Sequence, residues 1–244
     1  MFETILVQPI YNLFIAAVGV KPHGDAGLAI IALTFLMRLV LYPVFTASIR
    51  TQMGMQAMQG DLDIIKVEHK DDKERLAREQ IALFKKHKVN PLAGFLALFI
   101  QLVVLIALYF ALFREHFPQI DTALLYPFVH APSVVSTNFF GLIDLLTPHH
   151  LVLPLLVGAT QFAAIWLTLG RTPSPQGGGD KAAVARMQQQ MMLYFMPAVM
   201  VVTTYFFAAA VGVYFVATNL FSVGQEWLIR RELKNLPAAR QAKN

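Results

Sequence analysis

The sequence predicts an all-α integral membrane protein: five transmembrane helices, a cytoplasmic helical hairpin and an N-terminal interfacial helix. Three observations carry this. Of the 244 residues, 56% are hydrophobic and only 14% charged, less charge than a soluble domain of this length exposes. The apolar residues gather in runs that reach the roughly 20 residues needed to cross a bilayer. The basic residues crowd onto one side of those runs. Cysteine is absent, which excludes a disulfide framework, a thiolate zinc site and a thiol nucleophile, and makes a lipidated-cysteine anchor unexpected.

Residues 1–20, "MFETILVQPIYNLFIAAVGV", open the chain with Glu3 as their only charge, unlike the basic front of a signal peptide. Leu6, Ile10, Leu13 and Ala17 recur at helical spacing, and Pro9 and Asn12 interrupt the run. The reading is an amphipathic helix along the membrane surface, with a sixth span as the alternative.

Residues 28–47 form the first span and 92–113, "LAGFLALFIQLVVLIALYFALF", the second and cleanest. Between them, 48–90 read as a hairpin of two helices joined across "KDD". Asp71 and Glu74 suggest a capping box at the second helix. Asn90 and Pro91 mark the start of the next span, as N-cap and first helical residue. Met53, Met55 and Met58 near the hairpin base suit varied apolar partners or simple packing against the other helix.

The extracytoplasmic loop 114–150 carries Pro118, Pro127 and Pro132 and little charge. Residues 151–169 form the third span, and 170–190 a cytoplasmic loop opening on the turn-rich "GRTPSPQGGGDK". The apolar run from 191 to 229 is nearly twice a span, so it divides into 191–207 and 209–229 around "FAAAVG". A basic tail, 230–244, follows.

Charge sets the orientation. The segments 48–90, 170–190 and 230–244 hold seventeen Lys and Arg, and the opposite side holds Lys21 and Arg114. That asymmetry places the N-terminus outside and the C-terminus in the cytoplasm. It also explains the basic balance without a specific nucleic-acid site.

Arg38 stands at the centre of the first span. A mid-span arginine costs roughly 2.5–3.5 kcal/mol on insertion scales, and no other expected span has a central Asp or Glu to pair with it. A water-filled cavity is its cheapest surroundings. Thr34, Gln101, Thr160, Gln161, Thr203, Thr204, Thr218 and Asn219 are the polar residues available to line it. The sequence holds no HExxH or GxSxG. His149 and His150 lack a third clustered ligand, so no metal, cofactor or enzymatic activity is expected.

"GLAIIALTFLMRLVLYP", the charged hairpin and "HKVNPLAGFLALFIQLVVLIALYFALF" together resemble the YidC-type membrane protein insertases. So do "FFGLIDLLTP", "QQMMLYFMPAVM" and "VYFVATNLFSVGQEWLI", in order, over about residues 5–232. The resemblance implies five spans around a hydrophilic groove open to the cytoplasm and to lipid. Arg38, Gln101, Gln161 and Asn219 fall at its groove positions, with Thr34 and Thr218 beside them. It implies nascent membrane proteins as substrates, a hairpin that receives them through residues such as Met53, Met55 and Met58, and candidate partners in a Sec translocon and the ribosome. The activity implied is insertion without nucleotide hydrolysis; an anion channel or transporter with Arg38 in its pathway is the alternative. Departures from the pattern are Leu96 and Leu102-Val103 where proline is usual, Phe207-Ala208-Ala209-Ala210 in place of a Phe-Pro-Ala-Gly turn, and Tyr214-Phe215 in place of Tyr-Trp. The large outside domain of some members has no counterpart here.

Overall fold

A computed structural model describes residues 3–20, 24–87, 89–112, 119–169, 187 and 189–235. Lys21, Lys88, Arg114, the loop charges Arg171, Lys181 and Arg186, and the tail beyond 235 lie outside the described residues. The helices are α1 (Gln8–Gly19), α2 (Ala26–Val40), α3 (Tyr42–Ala57), α4 (Gln59–Glu68), α5 (Lys73–Lys86), α6 (Leu92–Leu112), α7 (Val152–Leu169), α8 (Met196–Phe206) and α9 (Ala209–Asn235). Short π-helical turns, Glu3–Val7 and Met191–Phe195, lead into α1 and α8.

Among the described residues, Leu92–Phe110 is the one continuous helix long and apolar enough to cross a membrane. The first expected span is not continuous: α2 and α3 meet the same test only together, across a break at Leu41. Pro43 explains the break. It has no N–H for the Leu39 carbonyl, and its ring crowds the preceding turn, so the helix restarts with proline in its first turn. Val152–Thr168 and Met191–Phe206 are apolar but shorter.

The chain divides into two compact units, Met1–Val40 with Leu102–Val223, and Leu41–Gln101 with Gly224–Asn244. In the first, a single apolar core joins α1 and α2 to the outer half of α6, the start of α7 and the start of α9. Phe14, Ile15 and Ile30 are fully enclosed. The buried face of α1 is Val7, Ile10, Tyr11, Phe14, Ile15 and Val18, and Leu13 of the expected stripe lies on the open side. The apolar face of this helix is thus covered by protein, where the sequence suggested lipid.

The loop between α6 and α7, where described, is tied to that core by its backbone. Asn12 donates to the Leu124 carbonyl at 2.8 Å and accepts from the Tyr126 amide at 2.7 Å. The Tyr11 hydroxyl accepts from the Asp121 amide at 2.9 Å. Asp25 caps α2 through Gly27 N–H at 2.7 Å, and its second oxygen accepts from Phe140 N–H at 2.9 Å. Phe140 belongs to a two-residue hairpin, Asn138–Phe139 against Ile143–Asp144. Gly24, next to Asp25, has φ of 59°, and a Cβ there would meet the Val134 carbonyl oxygen at 2.5 Å. Only glycine takes that conformation beside the loop without strain. The turn after that two-residue hairpin, Leu145–Thr147, then accepts from Ala209 and Ala210 N–H, which seats the first turn of α9 just past the α8 end at Phe206.

The second unit holds α3, α4, α5, the first half of α6 and the end of α9. Gln225 donates to the Tyr42 carbonyl at 3.2 Å and the Thr46 hydroxyl at 3.0 Å. Glu226 accepts twice from Arg230, at 2.8 and 2.6 Å. The hairpin helix α4 buries no residue and α5 only Leu83. The cap of α5 is Asp72, accepting from Arg75 N–H at 2.9 Å, one residue later than the Asp71 box expected from sequence. Asn90 accepts from Leu92 N–H at 3.0 Å and opens α6.

Candidate functional site

Arg38 reaches the interior because of its phase. On α2 the buried residues are Ala26, Gly27, Ala29, Ile30, Leu33, Thr34 and Arg38, which recur at three- and four-residue steps along one stripe. Leu28, Phe35, Leu36, Leu39 and Val40 take the other face and are exposed, as lipid-facing side chains would be. The guanidinium therefore continues an apolar packing face at its last turn, 8% exposed. Thr34, one turn earlier, returns its hydroxyl proton to the Ile30 carbonyl at 2.6 Å and leaves its oxygen lone pairs toward the same stripe.

The side chain that stands within electrostatic range of Arg38 is Tyr214, on α9 and 2% exposed. In the sequence Tyr214 stands out only as part of a departure from the family pattern. Its signal was available in the spacing: Tyr214 and Thr218 are four apart and share a helix face.

Two acids, Asp25 and Glu226, are buried among the described residues. Among the described residues of this unit the buried acid is Asp25, at the far end of α2. Thirteen residues of helix separate the two, roughly 20 Å. Glu226 is occupied by Arg230 in the other unit.

Asn219 was expected beside Arg38, and its amide instead turns to α7. It donates to the Thr160 hydroxyl at 3.1 Å and reaches the Val157 carbonyl at 3.5 Å. Residues 214 and 219 lie about 140° apart around α9, so one helix serves both neighbours. Gln161, next to Thr160, is half-buried, and so is Gln101, at the edge of the second unit. The Thr204 hydroxyl is buried with no hydrogen-bond partner among the described residues, and Thr218, one turn along α9, stands beside the Tyr214 hydroxyl. An unpaired buried hydroxyl costs about 1–3 kcal/mol unless a polar guest completes it. Of the hairpin methionines, Met55 is exposed, Met53 half-buried and Met58 enclosed at the α3–α4 junction, out of reach of a partner.

His149 is used structurally. Its backbone N–H donates to the Tyr205 carbonyl at 2.9 Å, and its ring meets Tyr205 and Phe206 edge-on. No group of three or more His, Asp or Glu able to hold a metal occurs among the described residues.

Arg38 thus faces the interior from the last turn of α2, ahead of the helical hairpin. Residues 19–236 match the family described as 60Kd inner membrane protein. The chain belongs to that family. Similar proteins include the membrane protein insertase YidC of Ectopseudomonas mendocina, 30% identical over 96% of this chain and 35% of the relative. The YidC insertase of Alkalilimnicola ehrlichii is 30% identical over 100% of this chain and 38% of its own length. That of Zymomonas mobilis is 34% identical over 62% and 26%. The chain spans about a third of the length of these relatives. Their insertase names give no support to the anion-channel reading.

Family membership also bears on the departures seen in the sequence. Without proline, α6 runs unbroken from Leu92 to Leu112. At Phe207-Ala208 the chain still leaves the helix: Phe207 is extended (φ −95°, ψ 163°). The Thr147 and Leu145 carbonyls, which accept from Ala209 and Ala210, supply from outside the turn that alanine itself does not favour.

Proposed function

We propose that this chain is a membrane protein insertase, acting on nascent membrane proteins in a bacterial inner membrane. Five spans would enclose a groove open to the cytoplasm, with the N-terminus outside. The observation that carries the reading is Arg38: a cation buried on an inward stripe beside Tyr214, with the Thr204 hydroxyl buried in the same unit.

The physical step is a division of labour between polar and apolar segments. Moving a polar segment into hydrocarbon costs several kcal/mol per unpaired group, and the groove lowers that cost by offering charge and hydroxyls. Acidic segments gain most, because Arg38 attracts them. The client's apolar segment leaves for lipid, at about 25 cal/mol per Å² removed from water. No cofactor or nucleotide is required by this scheme. Thr34, Gln101, Gln161, Thr218 and Asn219 complete the groove in this reading, and Met53 and Met55 meet incoming apolar chain. A Sec translocon and the ribosome are proposed partners on the outer-loop and basic faces respectively.

The test is insertion of a small protein with an acidic translocated segment into vesicles holding the purified chain. Arg38→Ala should slow insertion about tenfold, the equivalent of ~1.4 kcal/mol, and Arg38→Lys should recover part of it. Equal rates for all three proteins would remove the electrostatic role.

A further inference from the structure

The second unit contains a concave surface that the insertase reading does not use. A cavity of about 590 Å³ opens between the first turns of α3 and the first turns of α6. Pro43, Val44 and Ala47 form one wall, and Leu92, Leu96 and Phe99 the other. Its surface is almost wholly apolar, with Asn90 at one end. The volume lies in the range that takes a small apolar ligand.

The Asn90 end is also the basic end. The Thr51 hydroxyl donates to the Asn90 carbonyl at 3.2 Å, Val89 N–H donates to the Phe84 carbonyl at 2.9 Å, and Val89 packs over Gly54. These contacts bring the end of α5 to the same corner as α3 and the start of α6. Arg50 lies one turn beyond Ala47, and Lys85 and Lys86 form the exposed last turn of α5. Arg50 has a loose partner in Glu232 at 3.8 Å, with both side chains more than half exposed, so it stays available to an anion.

We infer that this groove seats one acyl chain of an anionic phospholipid, whose phosphate meets Arg50, Lys85 and Lys86. The pairing of an apolar trough with a cationic rim is what selects a lipid. An apolar client helix would match the trough but leave the rim without a partner, and a second copy of this chain would bring cation against cation. The basic turn sits at the junction of span and hairpin, where the charge of an anionic leaflet is felt within a Debye length. A lipid held there would anchor the base of the hairpin to the bilayer, independently of whether the chain inserts proteins.

Native mass spectrometry of the full chain released from nanodiscs of equal phosphatidylglycerol and phosphatidylcholine tests this. Wild type should retain phosphatidylglycerol preferentially. Each neutralisation, Arg50→Gln, Lys85→Gln or Lys86→Gln, should reduce that preference on the order of fivefold. Ala47→Leu and Ala93→Leu, which narrow the trough with helix-favouring side chains, should reduce retention of both lipids. Equal retention of the two lipids by wild type overturns the proposal. So does unchanged retention in both narrowed variants. A photo-crosslinker at Leu96 that captures a client segment or a second copy of the chain, and no lipid, overturns it as well.

Discussion

The clasp of α1 and α2 on the 119–150 loop and the charged hairpin of α4 and α5 are held by opposite kinds of interaction. At the clasp, Asn12, Tyr11 and Asp25 bond to backbone more than 100 residues away in sequence, from positions at or near full burial. In the hairpin most side-chain ties are exposed and span three or four residues: Lys66 with Asp63, Arg78 with Glu74, and Asp72 with Arg75 N–H. The longer ones are a loose His87–Asp61 contact at 3.9 Å and the Thr51–Asn90 bond at the base. Long-range bonds made in a dry core are lost only together, whereas exposed local pairs are screened and worth little. One region is therefore built to stay closed, and the other can open and re-form at small cost.

The contrast is broken most directly at Asn12. Asn12→Ala removes two donated bonds and one accepted bond and leaves buried backbone groups unpaired. Stability should fall by about 3 kcal/mol, read as a lower unfolding midpoint in mild detergent. A loss no larger than that of a surface substitution would show that the clasp is ornamental. Asp25→Ala should cost about 2 kcal/mol, since it deletes both the cap of α2 and the partner of Phe140 N–H. Amide exchange should then quicken in 136–145 as well as in the first turn of α2; exchange confined to α2 would mean the loop does not depend on Asp25. Glu74→Ala tests the other region and should change stability by no more than about 0.5 kcal/mol. Hydrogen exchange of α5 in the unaltered protein should already be faster than that of α1. Equal protection in the two helices would erase the distinction.

Different parts of the molecule were legible in the sequence to different degrees. Proline and asparagine announced the start of α6, because their effects act through adjacent backbone groups. Arg38 was conspicuous because one charge in an apolar run has no ordinary explanation. The cap of α5 was read one residue early, since Asp71 and Asp72 differ only in the local backbone angles that aim their oxygens. The break at Leu41 was missed because hydropathy counts Pro43 as one more residue of an apolar run. The covered face of α1 was missed for a similar reason: lipid and protein interior are equally apolar, and periodicity does not distinguish them.

By itself the sequence determined the family, the helical class and the presence of one buried cation. These follow from composition, local backbone chemistry and the need of each apolar segment to satisfy its own hydrogen bonds. Tertiary structure alone decided that Tyr214 faces Arg38, that Asn219 turns to Thr160, and that the first helix packs into the core. Helical spacing says which residues share a face. Which face meets which is fixed only when the helices pack and their rotations are set by one another's side chains.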